Sequence, residues 1–295
     1  MKRSTWILVG ILVLLAVAAY FVMQKPGETS APGSSGSLLV SYDSSAVDKL
    51  EITSGGNTVT LTHDGDKWVI VSPKRFLADD AAVKTAISKG RKIELRGLVS
   101  SNPQKQHLFQ ADSTGTLVRI FERGVEKTSF RIGKAGPTFS ETFVRLESSN
   151  DVYVADGPLS YIFVKSTKDW RDRVIFKAER DKISNIRYRY GDTTFTLAFR
   201  DSSWNIDGEP VSQPAVQSLL GSLSNYVTND FVDTVYTPPT PPVATIELLG
   251  TELRFYQPKG SPKCLVQSSQ SPQWYEVESW RALEVLKRKK DLRSQ

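Results

Sequence analysis

The chain states one pattern of strands and helices twice, and this repetition constrains its folding more than any other feature. Asp48-Lys-Leu-Glu-Ile52, Thr58-Val-Thr-Leu-Thr62 and Lys67-Trp-Val-Ile-Val71 surround a turn at Asp64-Gly-Asp66. Asp181-Lys-Ile-Ser-Asn-Ile186, Thr194-Phe-Thr-Leu-Ala198 and Ser203-Trp-Asn-Ile206 follow the same plan around Arg200-Asp-Ser202. Each set alternates apolar and polar residues with period two, the mark of half-buried strands. Each places a tryptophan near the start of its third strand, Trp68 and Trp204, and a shared core position is the simplest use for both.

A helix is expected next in both copies. Ala78-Asp-Asp80 offers a cap for a stripe of Ala82, Val83, Ala86 and Ile87. Ser212 caps, and Pro214 opens, a stripe of Val216, Leu219, Leu220 and Leu223, with Val83 corresponding to Val216 at an offset of 133. Leu95–Val99 and Asp230–Val235 read as returning extended segments. Two hairpins repeat as well: 117–121 with 127–132 against 244–248 with 252–256, then 142–146 with 151–154 against 263–266 with 273–277. Lys168-Asp-Trp-Arg-Asp-Arg173 and Lys290-Asp-Leu-Arg293 close the two copies at an offset of 122. The shortening falls where Pro238-Pro-Thr-Pro-Pro242 replaces a longer loop over 101–115.

The expected fold is α+β: two tandem units, 38–180 and 181–295, each with about seven short, mostly antiparallel strands and two helices. The polar alternation is too regular for doubly buried parallel strands.

Ahead of these units, Trp6–Met23 is 18 residues without a charge. A bilayer core takes about 20 apolar residues. Lys2 and Arg3 precede the run and favour a cytoplasmic N-terminus, so residues 1–24 read as a single-pass anchor in the inner membrane. The body then lies in the periplasm or outside the cell. Ala16-Val17-Ala18 offers the competing reading of a cleaved leader, but apolar residues continue through Tyr20, Phe21 and Val22. No cysteine follows the apolar core, which argues against a lipoprotein. Residues 25–37 are dominated by Pro, Gly and Ser and read as a flexible tether.

The net charge of +6 is not that of a nucleic-acid platform. Lys2 and Arg3 supply two of these charges and Lys287–Arg293 a net four, which leaves the body neutral. The basic end suits the last turn of a terminal helix; contact with anionic lipid or an acidic partner is the alternative. Cys264 is the single cysteine, so no intramolecular disulfide forms, and its alternating surroundings suit a small buried hydrophobe.

Asp48-Lys-Leu-Glu-Ile52, Asp66-Lys-Trp-Val-Ile70, the stretch from Pro73 into the helix at Val83, and Lys168-Asp-Trp-Arg-Asp-Arg173 together resemble the bacterial family called domain of unknown function 4340. The resemblance covers nearly all of residues 38–180, with a weaker echo to the end. It implies a membrane-anchored extracytoplasmic protein associated with ABC-transporter components of the gliding-motility auxiliary type, and hence a membrane partner such as a transporter permease. His107-Leu-Phe-Gln-Ala-Asp112 departs from the Tyr-Gly-Leu-Asp-like turn expected there. The family brings no reaction, so it assigns no catalytic residue.

The residues themselves nominate little chemistry, and no cofactor or metal is expected. His63, Asp64 and Asp66 crowd one tight turn, where alternate side chains diverge; a calcium loop counted from Asp64 would place Arg75 where a Glu is needed. Asp79 and Asp80 suit a helix start better than an acid–base pair. Gly133-Lys-Ala-Gly-Pro-Thr138 lacks phosphate-loop order and reads as a turn between strands. Trp170 and Trp274 join Trp68 and Trp204 as candidates for an aromatic platform, with Trp274, Tyr275 and Trp280 left as a possible ligand or partner surface. Arg171 and Arg173, beside Asp169 and Asp172, read as a salt-bridged corner joining the units, with a ligand clamp as the sharper alternative. These features favour a non-enzymatic interaction module. A cell-wall glycan- or lipid-binding domain is the runner-up, and an unrecognised enzyme comes third.

Overall fold

The computed structural model describes residues 36–191, 193–233, 238 and 241–293. The anchor expected over 6–23 and most of the tether lie outside them, as do residues 239 and 240 of the proline-rich stretch. Among the described residues no helix is long and apolar enough to cross a membrane. The chain forms two compact units. The described part of the first comprises 36–74 and 80–170; that of the second comprises 75–79 together with residues from Arg171 onward. The sequence-based boundary at 180/181 therefore falls inside the second unit.

The first unit begins with an antiparallel meander of β1 (Val47–Ser54), β2 (Asn57–Asp64) and β3 (Lys67–Ser72). Gly55 and Gly56, at φ 55° and 80°, close its first hairpin. Two consecutive positive φ values give the tight turn that matches strand twist. In the second unit, β4 (Phe76–Leu77) is a two-residue strand. The first unit continues with α1 (Asp80–Arg91), which buries Val83, Ala86, Ile87 and Gly90, the stripe of one helical face. β5 (Leu95–Ser100), β6 (Thr116–Glu122), β7 (Val125–Ala135), β8 (Glu141–Leu146) and β9 (Val152–Asp156) follow, and then the short helix α2 (Leu159–Phe163). Strand order across the sheet is β3-β2-β1-β6-β7-β8-β9-β5, with every neighbouring pair antiparallel.

The second unit adds β10 (Val174–Lys177), β11 (Asn185–Tyr190), β12 (Thr193–Arg200), β13 (Ser203–Ile206) and β14 (Glu209–Pro210) before α3 (Gln213–Ser224). β15 (Asn225–Val227), β16 (Asp230–Phe231), β17 (Ala244–Leu248), β18 (Thr251–Tyr256), β19 (Lys263–Ser268) and β20 (Trp274–Glu278) lead to α4 (Ser279–Val285) and α5 (Lys289–Leu292). Its large sheet runs β14-β13-β12-β11-β17-β18-β19-β20-β16, and β10 pairs separately with β15.

From β13 to β16 this order reproduces that of the first unit strand for strand. The register repeats too. Leu50, Leu61 and Ile70 stand side by side across β1, β2 and β3, and Ile186, Leu197 and Ile206 do so across β11, β12 and β13. All six are buried. Trp68 and Trp204, 3% and 4% exposed, fill the same core position twice. At the close of each unit a single turn buries one large side chain completely, Trp170 in the first and Leu292 in the second.

Three expectations are corrected. The second sheet has nine strands, not about seven: the two-residue piece β14 is too short to show alternation, while β16 falls in the extended segment expected from Asp230. Ser212 is the N-cap of α3, but its side chain makes no capping bond; its carbonyl accepts the first helical bond from Val216 instead. Gly133 is not in a turn but inside β7, which runs on to Ala135. A Cβ there would lie 2.2 Å from the Phe109 carbonyl oxygen. Glycine in a strand commonly marks such a close backbone approach. It lets the segment Pro103–Phe109, a 3-10 helix where a loop was expected, lie against the sheet.

Candidate functional surface

The nominated residues divide by the face of the element that carries them. On β20 successive side chains point to opposite faces. Tyr275 is fully buried among the core residues of the second unit, its hydroxyl donating to the Val174 carbonyl at 3.0 Å and lying 2.9 Å from Ser271 Oγ. Burial raises its phenol pKa. Trp274 lies on the outer face, half-buried, 5.3 Å from the ring of Tyr256. It stands in register with Gln267 and Arg254 across β19 and β18. Trp280 sits on α4 and is 63% exposed. The trio thus does not form one surface: Tyr275 is core, Trp274 belongs to the outer row and Trp280 to a helix.

Two open grooves flank the β17–β18 turn. One, of about 390 Å³, is lined by Glu252, Arg254 and the turn from Gln267 to Pro272. The other, of about 480 Å³, is lined by Asn185, Arg187 and the segment Glu247–Glu252. The charged side chains that line them, and polar ones such as Gln270, already have partners. Arg254 pairs with Glu252, Arg189 with Glu247, and Gln270 donates to Thr251 Oγ1 at 2.6 Å. The outer face of the first unit has a related arrangement with one pair inverted. Glu51 faces Arg119 there, whereas Arg187 faces Glu247 in the second unit, each at 3.8 Å. Exposed cross-strand pairs of this kind contribute only a few tenths of a kcal/mol up to about 1 kcal/mol each.

His63 is exposed, its Nδ1 3.0 Å from the Gly65 carbonyl oxygen and its ring edge-on to Trp68 at 5.0 Å. Phe199 holds the equivalent place against Trp204, 5.6 Å away, so an imidazole and a phenyl ring do the same cross-strand packing. Among the described residues no group of three or more His, Cys, Asp or Glu side chains could hold a metal ion. Asp80 pairs with Lys84 at 2.5 Å, one turn along α1. His107 lies exposed on the 3-10 helix. Cys264 is buried, donates to Gln257 Oε1 at 2.7 Å, and has its thiol pKa raised by burial. A raised pKa keeps a thiol from the reactive thiolate form.

Arg171 is the most constrained charge of those nominated. It is 2% exposed, yet its guanidinium pairs with Asp233 and donates from Nε to Gln273 Oε1 at 3.0 Å. The rings of Phe76 and Phe231 lie 3.8 Å and 3.7 Å from its guanidinium carbon. Arg173 donates to Asn229 Oδ1 at 3.1 Å. Sequence reasoning placed Asp169 and Asp172 beside these arginines but missed Asp233, Gln273 and the two phenyl rings, which come from distant parts of the chain. It also missed Arg145, 6% exposed, which donates to the carbonyls of Ala111 and Ser149, both at 2.7 Å, and so pins the 3-10 segment over the sheet.

The family model described as Domain of unknown function (DUF4340) matches residues 68–246. No curated protein and no solved structure is significantly similar to the chain.

Proposed function

The chain belongs to the DUF4340 family, and from that membership together with residues 6–23 we propose that it is a membrane-anchored extracytoplasmic interaction module, an accessory component of an ABC-type envelope transport complex. The uncharged run over 6–23 carries the reading: with Lys2 and Arg3 before it, it commits the two units to the non-cytoplasmic side of the inner membrane. The transporter permease as partner rests on what the family resemblance implies. Tethering by itself strengthens association with another membrane protein, by 10²–10⁴-fold in favourable geometries, without any new contact. The module needs no catalytic group, and His63, His107, Asp80 and Cys264 all have adequate structural roles or exposed positions.

A two-part experiment tests this. A periplasm-dependent reporter enzyme fused after Gln295 is active, and a cytoplasm-dependent one is silent; the reverse result overturns the topology. His63→Ala, His107→Ala and Cys264→Ser then each preserve the cellular phenotype of the full chain, while secreting residues 38–295 without the anchor weakens it. Loss of function in a folded His63→Ala or His107→Ala variant would count for an enzyme instead.

Binding of cell-wall glycan is a second reading, favoured by one observation: Trp274 lies on an outer row with Arg254 and Gln267, and these two line the 390 Å³ groove. On that reading Trp274→Ala abolishes binding of soluble peptidoglycan fragments while leaving the fold intact.

A further inference from the structure

One end of the first unit's sheet combines exposed aromatic residues, cations and the point where the chain joins the fold. Gly36 N–H donates to the Leu95 carbonyl at 3.0 Å, Leu95 N–H returns a bond to Ser37 at 2.8 Å, and Leu38 bridges Glu94. Glu94 in turn accepts from Asp156 N–H at 2.9 Å, and the next residue, Gly157, donates to the Ser140 carbonyl at 2.6 Å. Phe139, beside Ser140, is 100% exposed; Tyr161, on the helix that follows Gly157, is 83% exposed. α1 leads to Ile93, whose carbonyl accepts from Leu39, and Lys89 and Lys92 are exposed on this stretch, whereas Arg91 lies toward Asp43. The carboxylates at this end are partly engaged within the fold: Asp156 pairs with Arg96 at 3.2 Å, and Glu141 accepts from the Thr138 hydroxyl at 2.9 Å. Glu94 is exposed.

Covalent reach limits the distance of this end, more tightly than any other, from the bilayer. From Met23 to Gly36 the backbone spans at most about 45 Å fully extended. β7 alone, with its 11 residues, is about 35 Å long. A membrane-anchored chain therefore keeps the Gly36 end within about 45 Å of the surface, while the opposite end, with Val125 at the start of β7, can stand about 35 Å further away. Tyr favours the headgroup region, exposed Phe buries at the headgroup–acyl boundary, and anionic lipid attracts Lys and Arg within a Debye length of about 8 Å.

We propose that the sheet end bearing Phe139 and Tyr161, flanked by Lys89 and Lys92, docks on the anionic headgroup surface of the membrane that residues 6–23 cross. The inference rests on the anchor reading above and deepens it: the unit has a fixed orientation on the bilayer and does not swing freely on its tether.

The test uses the full chain in vesicles of phosphatidylethanolamine and phosphatidylglycerol, with Cys264→Ser as background. A polarity-sensitive fluorophore is placed by Phe139→Cys, by Tyr161→Cys or, as the distal control, by Val125→Cys; all three native side chains are exposed and their loss leaves the core untouched. Emission at 139 and 161 is expected to shift to the blue and to be quenched by headgroup-region spin-labelled lipid, with 125 unaffected. If the chain resists alkaline extraction but 139 and 161 are quenched no more than 125, docking is overturned and the anchor stands. If alkali extracts the chain, the anchor itself fails and the docking falls with it.

Discussion

The guanidinium carbon of Arg171 lies 3.7 Å from the ring centroid of Phe231, and this pair explains how a charge sits 2% exposed in the second unit. Phe76 stacks on the same group, while Asp233 and Gln273 take up its in-plane N–H donors. A planar, weakly hydrated cation suits that arrangement, and an ammonium does not. Arg171→Lys keeps the charge but loses the stacking and the fork, and is expected to lower stability by about 2 kcal/mol. Chemical denaturation of the wild type and variant measures it. Equal midpoints would show that charge alone is what the site needs.

Trp68 and Trp204 make the duplication testable. Each is buried at the same register position, against His63 in one unit and Phe199 in the other. Truncating a buried tryptophan to alanine costs about 3–5 kcal/mol. Trp68→Ala and Trp204→Ala are each expected to lower the melting temperature of their own unit, which separate hydrogen-exchange protection of the two units resolves. A wild-type exchange pattern in both variants would remove the shared core role.

These tryptophans also mark what sequence alone makes legible. Period-two alternation locates the long strands, and the internal repeat matches Leu61 with Leu197 and Trp68 with Trp204. The Asp48-Lys and Asp181-Lys match misleads, because Lys182 lies in a 3-10 turn ahead of β11 and the counterpart of Leu50 in the register is Ile186. The helical stripes of α1 and α3 are equally local signals. What depends on distant neighbours is not legible. Nothing near Arg171 in sequence announces Phe76 or Gln273, and nothing near Gly133 announces the Phe109 carbonyl above it. On the candidate surface, Trp274 and Tyr275 look alike in sequence, yet strand alternation sends one outward and the other into the core.

Tyr226 carries a buried polar atom without compensation. It is 1% exposed, and among the described residues its hydroxyl has no hydrogen-bond partner. An unsatisfied buried hydroxyl costs about 1–3 kcal/mol. Tyr226→Phe removes that oxygen and keeps the ring against Phe255, so stability is expected to hold or rise by about 1 kcal/mol. A clear fall in the denaturation midpoint would reveal a partner such as an ordered water.

Acid should weaken the turn at Asp112–Gly115 that follows the 3-10 segment. The Thr114 hydroxyl, 2.6 Å from Asp112, and the Thr114 amide hold the Asp112 carboxyl below its usual pKa. A carboxyl whose pKa is lower in the folded state stabilises the fold above its unfolded value of about 3.9 and loses that contribution as pH falls through the folded value. Asp112→Ala is therefore expected to be less stable than wild type near neutrality, with the difference closing below about pH 4. A constant difference across that range would assign the effect to packing.

The close approach at Gly90 gives the sharpest test of packing in the first unit. Alanine at a helical glycine ordinarily stabilises by about 1 kcal/mol. Here a Cβ would lie 2.6 Å from Tyr42 Oη, whose hydroxyl donates to the Ile87 carbonyl at 2.6 Å. Tyr42 is itself 5% exposed and has little room to withdraw. Gly90→Ala alone is therefore expected to destabilise. Tyr42→Phe removes the obstructing oxygen, and the Ile87 carbonyl can still accept its helical bond. In the Tyr42→Phe background Gly90→Ala should then become stabilising by up to about 1 kcal/mol. Such a reversal of sign in a double-mutant cycle isolates the contact between these two residues. The same effect of Gly90→Ala in both backgrounds would mean that the helix end adjusts freely, and that Tyr42 does not fix how α1 meets the segment leading in from Gly36.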